Sequence, residues 1–218
     1  MPVEQSGFED AVSLQQSGHL LEAERALQSM LRADPGHFAA AHSLGVIYLQ
    51  RGKAEQSESH LAFALQIDPR SATAHHDHGL AFRALRRHAA ALECFDRAIA
   101  LEPDHAEAHF NRAIALNALM RPEEAIASFD AAIALKTDCV AFHFHRGNFF
   151  LNKQRAEIAL ASYDEALAHD PTRAVIHNNR ANALREFDRI EDAVAAYDRA
   201  IALKPDFAVA FCNRAQAL

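Results

Sequence analysis

Apolar residues along the chain recur at the three- and four-residue spacing of amphipathic helices, and these helices come in pairs joined by short turns. The stretch from Ala174 to Phe207 shows one such pair and ends at the turn around Pro205. A helix cannot continue there because proline lacks the amide hydrogen and its ring clashes with the preceding turn. Versions of this stretch occur at intervals of 34 residues. The pattern therefore predicts a single repeat array over residues 1–218.

One position near the end of each repeat marks the period, and the period never slips. That position holds Pro35, Pro69, Pro103, Thr137, Pro171 and Pro205. The predicted repeats are residues 4–37, 38–71, 72–105, 106–139, 140–173 and 174–207, followed by a partial repeat at 208–218. In the first repeat the second helix is predicted over about Leu20 to Ala33. Its first helix, from Gln5 to Ser17, has an irregular pattern, as terminal repeats often do.

Small residues stand where neighbouring helices must approach closely, and large residues stand beside them. The small positions are Gly45, Gly79, Ala113, Gly147 and Ala181 in first helices and Ala98, Ala132, Ala166 and Ala200 in second helices. This alternation lets helices pack about 8 to 10 Å apart. Because one helix pair cannot bury such a stripe alone, consecutive pairs must stack. The predicted fold is all-α, an α-solenoid of antiparallel helix pairs.

The positions of these small, aromatic, Ala and Pro residues resemble the tetratricopeptide repeat (TPR), in phase over essentially the whole chain. The resemblance implies 34-residue units that form a right-handed superhelix, with first helices lining a concave groove. Three positions depart from the family pattern. Histidine replaces an aromatic residue at His75, His109, His143 and His177; Arg112, Arg146, Arg180 and Arg214 replace leucine; and Thr137 replaces proline.

The arginines at one of these positions are matched by acidic residues. An aspartate precedes each arginine by 16 residues, at Asp96, Asp130, Asp164 and Asp198. Where the later position is Leu44 or His78, the earlier one is Gln28 or Ala62. We therefore expect ion pairs that join each second helix to the next first helix, since a guanidinium group matches a carboxylate well. The alternative is that both charges are solvated and descend from one duplicated unit.

Composition narrows the possible partners. The chain has 7 Gly and 7 Pro, and its net charge of −7 is spread along its length without a basic run, so no nucleic-acid partner is expected. The odd set of Cys94, Cys139 and Cys212 fits incidental thiols in a reducing compartment. No apolar run approaches the roughly 20 residues that span a bilayer. A cytoplasmic protein without a membrane partner is predicted.

The 14 histidines raise the question of a metal site, above all at His105 and His109, which are four residues apart. The histidines at His75, His109, His143 and His177 recur once per repeat, and helices about 10 Å apart cannot bring them to one zinc ion. We therefore expect half-buried, hydrogen-bonded side chains and no metal. No phosphate-binding loop, nucleophile elbow or zinc-protease motif is present, so no catalytic residue and no cofactor is predicted.

The resemblance places the candidate binding site on the first helices. That surface changes from apolar in the N-terminal repeats to amide-rich toward the C-terminus. The predicted groove residues are Phe110, Asn111, Asn117, Phe144, His145, Asn148, Asn152, Asn178, Asn179, Asn182, Arg185 and Asn213. Carboxamides both donate and accept hydrogen bonds, so they can bind the backbone of an extended peptide. Lysines that would clamp the C-terminal carboxylate of a chaperone are missing from these positions.

Three functional hypotheses follow. The first is a protein-interaction scaffold that binds a peptide or partner helix and performs no chemistry. The second is the substrate-recruiting arm of a larger glycosyltransferase, because Asn111, Asn179 and Asn213 resemble the asparagine ladder of O-linked N-acetylglucosamine transferases; alternatively, asparagine is simply common on these helix surfaces. The third is self-association. The chain stops inside the first helix of a seventh unit, which indicates either a piece of a longer protein or an apolar end covered by dimerisation.

Overall fold

The computed structural model describes residues 2–218, with side chains from residue 7 onward. Over these residues the chain forms α-helices and no β-strand, so the predicted all-α fold is confirmed. The helices are α1 (Pro2–Gln16), α2 (Leu20–Ala33), α3 (Phe38–Gln50), α4 (Ala54–Ile67), α5 (Ala72–Ala84), α6 (His88–Leu101), α7 (Ala106–Ala118), α8 (Pro122–Leu135), α9 (Val140–Asn152), α10 (Ala156–His169), α11 (Ala174–Arg185), α12 (Ile190–Leu203) and α13 (Ala208–Ala217). The irregular first helix expected from Gln5 to Ser17 is instead a continuous α-helix, α1.

The chain divides into two compact units, Met1–Ala125 (unit 1) and Ile126–Leu218 (unit 2). In unit 1, α3 packs on α4 and α5 on α6, and each pair contacts the first helix of the next. In unit 2, α9 packs on α10 and α11 on α12, and α13 packs on α12. Each unit is thus a stack of antiparallel helix pairs, the architecture of an α-solenoid. That one array extends over residues 1–218 stays a prediction.

The turn inside each helix pair has the same backbone conformation throughout. One residue per repeat has positive φ, between 57° and 82°, at Gly18, Gly52, Arg86, Met120, Gln154 and Asp188. The residue after it donates its N–H to a carbonyl five residues earlier, as from Lys53 to Tyr48 and from Arg155 to Phe150. This is the Schellman ending of a helix. Its recurrence every 34 residues aligns the second helix of each pair in the same way.

Close helix approach occurs where the sequence predicts small residues. A Cβ atom added to Gly79 would lie 2.6 Å from the Phe95 ring, and one added to Gly147 would lie 2.5 Å from the Tyr163 ring. Both rings are fully buried. The first helix therefore packs directly against the large side chain of its partner helix, which fixes how the remaining faces of the first helices are presented.

The outer faces of the first helices form the surface on which the candidate site lies. In unit 1 neighbouring first helices α3, α5 and α7 contact one another, and in unit 2 α9, α11 and α13 do so. We call these surfaces the first-helix face of unit 1 and the first-helix face of unit 2.

Candidate functional site

The predicted ion pairs between repeats are confirmed in all four places. Arginine Nε lies within 2.5 to 2.9 Å of aspartate Oδ1 in the pairs Arg112–Asp96, Arg146–Asp130, Arg180–Asp164 and Arg214–Asp198. In the last pair the N–H of Arg214 is not directed well enough at the oxygen to form a hydrogen bond, although the charges lie 2.5 Å apart. Each pair joins a second helix to the next first helix, on the side away from the first-helix faces.

The once-per-repeat histidines are hydrogen-bonded, as predicted. Nε2 of His75, His109, His143 and His177 lies 2.7 to 3.1 Å from the carbonyl oxygen six residues earlier, in the turn between repeats. Since a carbonyl only accepts, Nε2 must carry the proton. These imidazoles therefore hold the turns between repeats. Among the residues with described side chains, no three His, Cys, Asp or Glu residues are grouped to hold a metal ion.

On the first-helix face of unit 1, polar side chains from α3, α5 and α7 form a continuous network. Both oxygens of Asp77 accept hydrogen bonds, from Nε2 of His42 at 2.8 Å and from Nδ1 of His76 at 3.1 Å. Nε2 of His76 lies 3.0 Å from Nδ2 of Asn111, and Arg83 donates to Oδ1 of Asn111 at 2.6 Å. The prediction that this half of the surface is apolar is therefore wrong at α5, where residues from three helices converge.

The direction of each hydrogen bond in this network is fixed. Asn111 donates one N–H to the carbonyl of Glu107 at 2.9 Å, so its other N–H points to His76, whose Nε2 must accept. His76 is then protonated on Nδ1, which donates to Asp77. Burial opposes the charge of Asp77, but the hydrogen bonds from His42 and His76 lower the pKa of Asp77 to about 2. Asn111 is only 7% exposed and both its N–H bonds are used, so it has no donor left for a ligand.

The first-helix face of unit 2 is built from amides instead. Oδ1 of Asn148 accepts from the hydroxyl of Tyr163 and from Nδ2 of Asn179 on the next first helix, both at 2.8 Å. Oδ1 of Asn182, one repeat later, accepts from the hydroxyl of Tyr197 at 2.6 Å. Their Oδ1 atoms are thereby held in place. The Nδ2 atoms of Asn148 and Asn182 have no hydrogen-bond partner among the side chains that the structure describes.

The other predicted amides of unit 2 connect neighbouring helices. Asn178 is buried and donates to Oδ1 of Asn179 at 3.0 Å, while Asn213 on α13 donates to Oδ1 of Asn178 at 3.0 Å. Asn213 also lies 3.4 Å from Oδ1 of Asn182. Part of the predicted asparagine ladder is therefore used to hold the helices together.

The remaining predicted site residues are not part of these hydrogen-bonded chains. Phe144 is half-buried, with its ring 6.3 Å from Tyr163, and His145 is exposed beside it. Burial raises the pKa of the Tyr197 hydroxyl, which Arg185 partly counteracts by a hydrogen bond. Phe110, Asn117 and Asn152 lie on first helices and are half-buried, half-buried and exposed, respectively.

A sequence signal for the tyrosine–asparagine pairs exists. Fifteen residues before each tyrosine at this second-helix position stands an asparagine, as at Asn148 for Tyr163 and Asn182 for Tyr197. Where the second helix has no hydroxyl at this position, the first helix has an aliphatic residue. Those pairs are Leu61 with Val46, Phe95 with Leu80, and Phe129 with Ile114. The same comparison between repeats that predicts the ion pairs could have found this one.

The two first-helix faces also differ at the start of their helices. In unit 1 a side chain accepts from the backbone N–H three residues on: His37 at α3, Ser71 at α5 and His105 at α7. At the same position in unit 2, the side chains of Cys139 and Arg173 make no such bond at α9 and α11. The first-turn amides of these two helices are left without a side-chain acceptor.

No helix within residues 2–218 has the length and apolar character needed to cross a membrane.

Comparisons with known proteins agree with this fold. Sequence models described as tetratricopeptide repeat match residues 14–77, 76–138 and 120–174, and one described as TPR repeat matches residues 181–218. No curated protein matches the chain.

Similar solved structures share the fold at low sequence identity. PilW, described as a widely conserved type IV pilus biogenesis factor, has a TM-score of 0.89 at 16% identity and covers 97% of this chain and 98% of its own. PilF of Pseudomonas aeruginosa has a TM-score of 0.81 at 16% identity, with 98% and 95% covered. YrrB, described as a TPR protein with an unusual peptide-binding site, has a TM-score of 0.69 at 19% identity, with 88% and 98% covered.

The narrower resemblance to the arm of O-linked N-acetylglucosamine transferases gains no support from these matches. Together the sequence models span almost the whole chain, and the helix pairs repeat with the same period. The chain therefore belongs to the tetratricopeptide repeat family.

Proposed function

We propose that the chain is a protein-interaction scaffold that binds a peptide or partner helix on the first-helix face of unit 2 and performs no chemistry itself. The observation that carries this proposal is the pair of free Nδ2 donors on Asn148 and Asn182. Their amides are oriented before a ligand arrives, because Tyr163 and Tyr197 hold the Oδ1 atoms. Orienting a donor in advance reduces the entropy lost on binding.

An extended peptide suits this arrangement best. The two asparagines are equivalent residues on neighbouring first helices, which pack roughly 8 to 10 Å apart. An extended chain advances about 3.3 Å per residue, so carbonyl oxygens three residues apart can reach both donors. Carbonyl oxygens occur in every peptide, so these two contacts provide affinity with little dependence on sequence.

The known relatives support the general class of function. YrrB carries a peptide-binding site by its description, and another similar structure is the Cut9–Hcn1 hetero-tetramer of the APC/C, which is an assembly of proteins. Both have the same fold as this chain at 15 to 19% identity. A fold of this kind presents first-helix faces to partners without itself requiring a catalytic residue.

Selection of peptides from a random display library on the immobilised full chain would test the proposal. The selected peptides should bind at least about tenfold more weakly to the double variant Asn148→Asp, Asn182→Asp. Aspartate retains the oxygen that accepts from tyrosine but replaces the Nδ2 donor with an acceptor.

The matched control is Asn117→Asp with Asn152→Asp, which changes the charge equally at first-helix positions outside the tyrosine pairs. This control should bind the selected peptides within about twofold of the unmodified chain. Failure to select any peptide, or equal affinity for both double variants, would contradict the proposal.

Self-association through α13 is a second candidate, favoured by exposed apolar side chains on that helix. Val209 is 56% exposed, Phe211 48% and Leu218 81%. Sedimentation velocity over a range of concentrations should then show a dimer that Phe211→His removes. Histidine is the residue at this position in the preceding four repeats. A monomer at all concentrations would exclude this candidate.

A further inference from the structure

An open, largely apolar cleft lies at the beginning of the first-helix face of unit 2. Its volume is about 530 Å³, and it is lined by the first turns of α9 and α11 and by the last residues of α12. The apolar lining comes from Val140, Phe144, Val175, Ile176 and Leu203. Val175 is 45% exposed, so a large part of this apolar surface faces solvent.

The charged residues that line the cleft are all basic, although the chain as a whole has a net charge of −7. They are Arg173 and Lys204. Arg173 donates from Nε to Asp170 at 2.6 Å, which occupies one of its nitrogens. Lys204 has its Nζ 5.5 Å from the centre of the Phe207 ring and has no ion-pair partner among the described side chains. The cleft therefore combines apolar walls with a basic edge on an acidic protein.

Backbone amides add to the positive character of this edge. The N-terminal turns of α9 and α11 carry the positive ends of two helix dipoles, and their capping residues Cys139 and Arg173 provide no acceptor. At α3, α5 and α7 a side chain occupies the equivalent place. An external carboxylate can accept from these amides because no side chain of the protein does.

We propose that this cleft receives a large apolar side chain flanked by acidic residues, within a segment of a partner protein. The inference rests on the proposed function and extends it from backbone binding to side-chain selection. The apolar side chain enters between Val175, Phe144 and Leu203, and the carboxylates of its neighbours lie against Lys204 and the first-turn amides. Acidic flanks would reduce non-specific attachment elsewhere, because most of the protein repels them.

The test uses a synthetic peptide, Gly-Asp-Glu-Leu-Phe-Glu-Asp-Gly, labelled with a fluorophore and blocked at both ends, and binding to the full chain is followed by fluorescence anisotropy. A second peptide carries Asn and Gln in place of the acids, and a third carries Ser-Ser in place of Leu-Phe. Both should bind at least about tenfold more weakly than the first. Equal binding of all three peptides, or no binding of the first, would overturn the proposal.

A fourth peptide, without acids but ending in Leu-Phe with a free carboxylate, distinguishes a chain terminus from an internal segment. We expect it to bind more weakly than the first peptide. If it binds more tightly, the proposed internal acidic segment is wrong and the cleft reads a C-terminus instead.

Variants of the protein locate the binding. Val175→Asp should weaken binding of the first peptide by about tenfold or more, whereas Val209→Asp, the same position one repeat later, should change it by less than about twofold. Lys204→Glu should weaken binding and reduce its salt dependence, with Lys153→Glu as the control outside the cleft. Circular dichroism verifies that each variant is folded.

The two proposals can fail separately. If Asn148→Asp with Asn182→Asp abolishes binding of selected peptides while Val175→Asp has no effect, the scaffold function stands and the cleft proposal falls. If neither variant affects any bound peptide, both proposals fall.

Discussion

The first-helix faces of units 1 and 2 are built on the same backbone but use different hydrogen-bond chemistry. In unit 1, imidazole, carboxylate and guanidinium groups form a network in which Asn111 and both oxygens of Asp77 are used. In unit 2, tyrosine hydroxyls hold the asparagine oxygens and leave the Nδ2 donors of Asn148 and Asn182 without partners. Unit 1 is therefore internally satisfied, whereas unit 2 retains groups for a ligand.

The same contrast holds at the helix ends. The first helices α3, α5 and α7 are capped by side chains, and α9 and α11 are not. A capped helix end is more stable by about 1 kcal/mol, and an uncapped one is available to an anion. The difference teaches that one repeat scaffold can use the same positions for stability in one unit and for binding in the other.

The largest effect is expected from breaking the network of unit 1. Asn111→Leu removes the acceptor for the half-buried Arg83 and the donor for Nε2 of His76, so the free energy of unfolding should fall by about 2 kcal/mol. Urea denaturation followed by circular dichroism measures this change. Asn117→Leu, on the same helix but without a side-chain hydrogen bond, should cost less than about 0.5 kcal/mol. Equal losses for both variants would mean that the network is not what stabilises this face.

A double-mutant cycle on unit 2 should give the next largest effect. Asn148→Leu leaves the buried hydroxyl of Tyr163 without its acceptor and should cost about 1 to 2 kcal/mol in stability. Tyr163→Phe with Asn148→Leu recreates the pairing of the preceding repeat, Phe129 with Ile114, in apolar form. The double variant should recover about 1 kcal/mol relative to the sum of the single changes. Additive losses would contradict a specific tyrosine–asparagine pair.

A change of pH should distinguish the two units. Burial lowers the pKa of His60, His78 and His105 below 6.5, with Glu58 partly opposing this at His78, and His76 adding to it at His105. All three lie in unit 1. Below pH 6.5 the unfolded chain then binds more protons than the folded one, so stability is full above about pH 6.5 and falls as the pH decreases toward the folded-state pKa values. Asp77 does not contribute in this range, because it loses stability only below pH 3.8.

Hydrogen exchange at pH 7 and 5.5, corrected for the intrinsic rate, measures this difference. Protection of α4 to α7 should fall by roughly three- to tenfold relative to α10 to α12. His105→Asn keeps a side chain that caps α7 but does not titrate, so it should reduce the pH dependence. An equal loss of protection in both units would contradict the assignment.

Much of the scaffold could be predicted from the sequence because each feature occurs several times. The turns recur once per repeat, and Asp164 with Arg180 varies together with its counterparts. The tyrosine–asparagine pairs were predictable by the same comparison of repeats. The network around Asp77 was not, because His42, Asp77 and Arg83 each stand at a position where the other repeats have different residues. A single occurrence offers nothing to compare, and only folding brings these residues together.

The contrast in helix capping was also difficult to predict, for a different reason. Ser71 is a common capping residue, but His37 and His105 are not, although their Nδ1 atoms accept from the backbone at 3.1 and 3.4 Å. Residue preferences alone would therefore have assigned one capped helix where the structure has three. The candidate site in unit 2 depends on this contrast, so it required the positions of the side chains.

The smallest effect is expected from the ion pairs, which both units share. Asp96→Asn in unit 1 and Asp164→Asn in unit 2 remove equivalent carboxylates that are each 49% exposed. Solvent screens such pairs, so each change should lower the free energy of unfolding by about 0 to 1 kcal/mol, and less in high salt. Urea denaturation at two salt concentrations measures both. Because the arginine partners are also similarly exposed, at 26% and 29%, the two losses should be equal. A difference above about 1 kcal/mol would mean that the units differ in their scaffold as well as in their first-helix faces, whereas equal small losses would confine the difference to the faces.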